Sequence, residues 1–280
     1  MITRFAPSPT GLLHLGHAFS ALTAFSIAHR ARGTFLLRIE DIDTARCTPE
    51  FEQQIFRDLS WLGLEWSEPV MRQSQRQPVY DAALKSLKDR GLIYACTCTR
   101  ADIRAALSAP QEGPDGVALV APVYPGTCRH RARPFRGAAL RLNLERALAQ
   151  TGPIAFTEYG DQHAGHHQFS ADMLLKTHGD IVLARRDLGT SYHISVCIDD
   201  AHQGVTDVVR GVDLFAATAL HVVLQRLLEL PAPRYHHHRL IRDGRGQRLA
   251  KRDDARALAH YRQMGKSPGD IRAILGLDGN

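Results

Sequence analysis

The stretch that most constrains this chain is APSPTGLLHLGHAFSALTAF, residues 6–25, set between ITRF (2–5) and TFLLRIE (34–40). Ile2 to Phe5 reads as a short strand, Phe19, Leu22 and Phe25 recur every third residue as on a helix face, and Thr34 to Glu40 alternates with β-branched and large apolar residues. Strand, helix, strand at this spacing is a βαβ unit. Between the first strand and its helix stand Pro7, Pro9, Gly11 and Gly16, beside His14 and His17. A helix N-terminus has unpaired N–H groups and a partial positive charge, so the turn forms a seat for phosphate. Pro7, Pro9 and Gly11 would shape the approach, Gly16 would let the backbone come close, and the two imidazoles would sit on the seat.

The α/β rhythm continues. Thr48-Pro49 opens a second helix, with Phe51, Ile55, Leu59 and Leu62 on one face until Gly63. A third follows Pro78, with Tyr80, Leu84 and Leu87 inward and Gly91 as its stop. After a loose stretch from about Cys96 to Val182 come a strand at Ile181 to Arg185, a helix at Tyr192 to His202, a strand at Val205 to Arg210 and a long helix from Leu214 to Leu228 opened by Asp213. The expected fold class is α/β, a Rossmann-type doubly wound parallel sheet. Residues 1–95 and 181–242 would be its two halves, 96–180 an inserted subdomain, and 243–280 a loop with a short helical segment.

Apolar residues make up 44% of the 280, enough to bury a core without staples. A formal charge of +6 suits a polyanionic partner and is equally common among enzymes. No stretch approaches the roughly 20 uninterrupted apolar residues of a membrane span, and the start has no apolar leader, so a soluble, cytoplasmic protein is expected. Cysteines at 47, 96, 98, 128 and 197 form no even framework, which argues for thiols or a metal over disulfides. The runs HAGHH (163–167) and YHHHR (235–239) read as solvated or RNA-facing, not as metal ligands.

RFAPSPTG…HLGH resembles the first signature of class I aminoacyl-tRNA synthetases, in the version used by the glutamate-specific branch. LLRIEDIDTAR (36–46), TSYH…DDAHQGVTDVVRGVDL (190–214) and RLAKR (248–252) follow in the family's order, the last as a lysine loop degenerate except at Lys251. The resemblance implies that glutamate attacks the α-phosphate of ATP, bound with Mg²⁺, to give an aminoacyl adenylate, and that an RNA hydroxyl then takes the acyl group. No enzyme nucleophile is needed; alignment and charge stabilisation suffice. By resemblance His14, His17 and Lys251 are the catalytic residues, and Pro7, Gly11 and Gly16 join them around ATP.

Arg38 and Glu40 share one face at the carboxyl end of a strand, where open α/β sheets bind ligands, and Glu40 suits an α-ammonium group. Arg4, Ser8, Tyr192 and Arg210 match the family's glutamate positions, and a guanidinium grips a carboxylate in a way that an amide cannot reproduce. The resemblance also raises Cys96, Cys98, Tyr124 and Cys128 as ligands of one structural Zn²⁺, with His130 competing for the fourth place. Cys47 and Cys197 are expected to be buried thiols.

Only 28 residues follow Arg252, enough for two short helices, where full-length glutamate enzymes carry an anticodon reader. The chain therefore resembles the branch that activates L-glutamate without tRNA and attaches it to queuosine at the wobble position of tRNA(Asp). That implies the anticodon arm as partner and a monomer. Two alternatives stay open: a minimal enzyme charging the tRNA 3′ end, and a non-enzymatic glutamate- or RNA-binding paralogue.

Overall fold

A computed structural model describes residues 1–103, 123–187, 189–241 and 257–277. The opening βαβ unit is present: β1 (Ile2–Phe5), α1 (Leu15–Arg30) and β2 (Thr34–Ile39), with β1 and β2 parallel. β2 pairs in parallel with β3 (Ser67–Arg72), and α2 (Pro49–Trp61) lies between them in the chain, its N-terminus capped by the Thr48 hydroxyl. α1 buries Ala18, Ala21, Leu22 and Ala24 against β1 and β2, and the Thr3 hydroxyl donates to Ala24 O, tying strand to helix. Burying Leu22 completely contributes about 1.5–3 kcal/mol.

α3 (Gln77–Asp89) leads to β4 (Ile93–Cys96), which pairs antiparallel with β5 (Ala139–Leu142). The stretch after Cys96, aperiodic to inspection, contains regular elements: α4 (Leu144–Thr151), β6 (Ile154–Glu158), β7 (Gly165–Phe169) and α5 (Ala171–Thr177). Each has eight residues or fewer, too short for a period to declare itself. β8 (Val182–Ala184) pairs antiparallel with β5, α6 spans Tyr192–His202, and β9 (Asp207–Gly211) lies beside β1, Thr206 N donating to Ile2 O.

The expected helix from Leu214 to Leu228 is shorter. A 3₁₀ turn covers Val212–Leu214 and α7 begins only at Thr218, ending at Leu227. The cause is local: Leu214 O accepts from the Thr218 hydroxyl and from Arg210, while Thr218 N turns to Phe215 O. β10 (Arg234–His238) runs parallel to β9 and to β6, giving the strand order β7-β6-β10-β9 with β7 antiparallel. The sheets are thus mixed, not parallel throughout as expected. The sheet of β9 and β10 also takes in two strands from the 96–180 stretch, β6 and β7.

α8 (Leu258–Gln263) and α9 (Pro268–Leu275) close the described chain. They seat on the first βαβ unit: Leu258 N donates to Leu13 O at 2.8 Å, Ala257 bridges to His14, and Ile271 and Leu275 join the core around α1. Among the described residues no helix is long and apolar enough to cross a membrane.

Candidate active site

The carboxyl ends of β1, β2 and β9 and the start of α1 surround a cavity of about 560 Å³. Arg4, Pro7, Ser8, His14, Gly16, His17, Glu40, Tyr192 and Arg210 all line it, so the fold brings together residues drawn from three separate sequence blocks. Gly11 is not among the lining residues, and Lys251 lies outside the described residues. Asp213, His238 and Arg239 also line it and were not anticipated as site residues.

The helix mouth differs from an open row of donors. His14 is the N-cap of α1; its Nδ1 accepts from Gly16 N at 3.1 Å, and His17 Nδ1 accepts from His14 N at 3.2 Å. The rings stack with centroids 3.8 Å apart. With both Nδ1 atoms acting as acceptors, each ring carries its proton on Nε2, and the donors offered at this mouth are imidazole N–H groups. At Gly16 a Cβ would meet the His14 ring at 3.0 Å, so the absence of a side chain there makes room for the imidazole.

Arg4 and Arg38 converge on one carboxylate, Asp200. Arg4 Nε lies 3.0 Å from Asp200 Oδ1, Arg38 Nη1 lies 2.7 Å from the same oxygen, and Arg38 Nη2 reaches Glu40 Oε1 at 3.2 Å. Burial alone would raise the Asp200 pKa, but the two guanidinium groups outweigh it and hold the carboxylate below its usual range. Burial wins at Glu40, whose pKa is raised despite Arg38 and Arg4. Sequence reading missed Asp200 as an organiser, although it stands inside the quoted block DDAHQ.

Arg210 is different. It is 5% exposed, and its donors go to neutral acceptors: His237 Nε2 at 3.0 Å, His221 Nδ1 at 3.0 Å, the Thr218 hydroxyl at 2.7 Å and Leu214 O at 3.4 Å. Among the described residues no carboxylate pairs with it directly. Glu158 stands one ring further out, accepting from His237 Nδ1 at 2.5 Å and His237 N at 2.6 Å. Burial lowers the His237 pKa, with Glu158 only partly opposing it, and pushes His221 well below its usual value, with Arg210 adding to the effect. The YHHHR run is therefore not wholly solvated. His237 is buried in β10, His236 bonds Asp207 at 2.9 Å, and only the HAGHH histidines at 163 and 166 stay exposed.

Away from this cavity, the Sγ atoms of Cys96, Cys98 and Cys128 lie within 4.8 Å of one another. The Tyr124 hydroxyl stands 3.4 Å from Cys96 Sγ and 3.5 Å from Cys98 Sγ, and it accepts from Cys128 N at 2.9 Å. The Arg141 guanidinium covers the Tyr124 ring at 3.7 Å. His130 is exposed and outside the cluster. Cys197 is buried as expected, whereas Cys47 is half-buried.

The family model for the catalytic domain of class I tRNA synthetases for glutamate and glutamine matches residues 1–280. A Rhodobacter capsulatus protein described as glutamyl-Q tRNA(Asp) synthetase is 57% identical over 286 aligned positions, covering 99% of this chain and 100% of its own. A Nocardia farcinica protein of the same description is 42% identical, covering 97% of this chain and 82% of its own. The crystal structure of a glutamate tRNA ligase from Elizabethkingia meningosepticum in complex with its amino acid superposes with a TM-score of 0.69 at 28% identity. That match covers 90% of this chain and 52% of the ligase, so the chain spans about half the length of that solved relative. The chain belongs to the class I tRNA synthetases of the glutamate and glutamine branch.

Proposed function

We propose that the chain activates L-glutamate with ATP and Mg²⁺, without RNA, and transfers the glutamyl group to queuosine at the wobble position of tRNA(Asp). The observation that carries the amino-acid part is Arg210, a buried cation on the cavity wall whose immediate partners are all neutral. A glutamate side-chain carboxylate supplies the missing anion; glutamine would leave the guanidinium uncompensated. Glu40 takes the α-ammonium group, Tyr192 and Ser8 line the slot, and Arg4 holds its floor through Asp200. The α-carboxylate displaces pyrophosphate from ATP, with His14 and His17 Nε2–H groups and Lys251 facing the developing phosphoryl charge. An acceptor hydroxyl then attacks the glutamyl carbonyl, AMP leaves, and the hydroxyl proton passes to solvent.

The acceptor part is supported by the curated relatives, which match this chain from end to end and are described as glutamyl-Q tRNA(Asp) synthetases. The partners are then L-glutamate, ATP and the anticodon arm of tRNA(Asp), with the protein acting as a monomer in the cytoplasm. Mapping labelled glutamate on total tRNA tests the reading. Label on the wobble nucleotide of queuosine-containing tRNA(Asp) supports it; label on the 3′ end of tRNA(Glu) replaces it with a minimal charging enzyme.

The Cys96, Cys98 and Cys128 thiols with the Tyr124 hydroxyl fit one structural Zn²⁺, since three converging thiolates and one oxygen make a tetrahedral donor set. Bound there, the ion would tie the end of β4 to the segment around residue 128. The division into 1–95, 96–180, 181–242 and 243–280 is our reading of the domain plan, supported by the antiparallel pairing of β4 with β5 where the second stretch begins.

A further inference from the structure

Beside the first cavity lies a second, of about 510 Å³, which shares Ser8, Glu40 and Tyr192 with it. One imidazole on its wall, His193, ends a hydrogen-bond chain that begins at Arg210. Arg210 Nη1 lies 3.0 Å from His221 Nδ1, and His221 Nε2 lies 3.2 Å from His193 Nδ1. A guanidinium nitrogen can only donate, so His221 Nδ1 accepts and its proton sits on Nε2. That N–H in turn donates to His193 Nδ1, which leaves the His193 proton on Nε2. The direction of every bond is set at Arg210. His193 is half-buried and lines the cavity, so the ring edge turned away from His221 presents one N–H donor of fixed polarity there.

We infer that this second cavity is the acceptor subsite, in which His193 Nε2–H donates to an oxygen of the hydroxylated ring of the incoming modified nucleoside. The inference rests on the function proposed above and adds to it the group that receives the acceptor. Three observations agree. The volume is that of a small-molecule site and admits one nucleoside. The shared wall of Ser8, Glu40 and Tyr192 puts the acceptor next to activated glutamate with no intervening element. Arg46 and Arg185, with side chains 67% and 47% exposed, stand among the lining residues, where they pair with Asp43 at 2.5 Å and Asp187 at 3.3 Å and could exchange those surface pairings for flanking phosphates. Because its cavity-facing nitrogen is protonated, His193 holds the acceptor oxygen and does not deprotonate it. It is a binding residue for the second step only.

The test uses the full chain and two substitutions, His193→Leu, which removes the donor, and His193→Gln, which keeps one. Glutamate-dependent ATP–pyrophosphate exchange reports the first step, and glutamate transfer to queuosine-containing tRNA(Asp) reports both. For His193→Leu the KM for this tRNA should rise roughly tenfold or more, as for a lost directional hydrogen bond, while exchange stays within about threefold of wild type. His193→Gln should behave like wild type in both assays and keep the wild-type pH profile of transfer. The inference is overturned if His193→Leu keeps a wild-type KM, if it loses exchange and transfer in equal measure, or if His193→Gln is as impaired as His193→Leu. A wild-type chain that exchanges pyrophosphate yet never labels queuosine would instead sink the acceptor reading on which the inference rests.

Discussion

Arg210 Nε donates to His237 Nε2 at 3.0 Å, and the opposite nitrogen of that ring donates to Glu158, so the cation facing the proposed glutamate slot is held from behind by an imidazole and not by a carboxylate. The guanidinium is thereby fixed in direction and still seeks an anion. Arg210→Ala should lower kcat/KM for glutamate in pyrophosphate exchange by about 2–5 kcal/mol, or roughly 30- to 5,000-fold. Near-normal saturation by glutamate in that variant would remove Arg210 from the site.

Asp200 serves two buried arginines at once, Arg4 and Arg38, which are 4% and 0% exposed. Asp200→Asn would leave both charges short of their counter-ion, and the expected loss of stability is about 3–5 kcal/mol. Urea unfolding followed by circular dichroism checks this; a midpoint equal to wild type would mean that solvent or Glu40 compensates.

For the thiol cluster, elemental analysis is the direct check. The purified protein should carry one zinc per chain, Cys98→Ser should lose most of it, and His130→Ala should keep it. Zinc content that survives Cys98→Ser, or that falls in His130→Ala, would change the ligand set.

The buried imidazoles fix the response to acid. Burial, with Arg210 and His178 adding to it, holds His193 down to about 4, and burial with Arg210 keeps His221 well below its usual value. The unfolded chain takes up these protons near about pH 6.5, while folded His193 does so only near about 4. Between those values the unfolded state binds more protons, so stability rises with pH and falls as pH drops. The urea midpoint should therefore be lower at pH 5.5 than at 7.5, and His193→Gln should flatten part of that slope; a midpoint independent of pH in this range would contradict the assignment of neutral rings.

Much of the polar wall of the first cavity was legible because its residues sit in compact blocks with strong punctuation: Pro7 and Gly16 around the first turn, Glu40 at a strand end, Tyr192 at a helix start. The supports behind them were not. Asp200, His221, His237 and Glu158 lie on regular elements that look like ordinary core positions, and only the fold reveals that the first three meet Arg4, Arg38 and Arg210 while Glu158 meets His237. The hidden hairpin β6–β7 escaped for a related reason, since five-residue strands bearing Glu158, His166 and His167 carry no apolar alternation strong enough to read. The Gly16 case shows the converse. Its place at the turn is visible in the sequence, whereas the 3.0 Å approach that a Cβ there would make to the His14 ring is encoded in no local pattern.

β6 brings Glu158 from the middle of the chain to the back of the cradle around Arg210. The stretch between β4 and β8 is accordingly not an exchangeable cassette, since its β6 pairs with β10. A chimaera in which another enzyme's segment replaces it would also replace the carboxylate behind His237 and Arg210, the cation we propose for glutamate, so substrate choice is expected to be inherited from the graft as well as from the host.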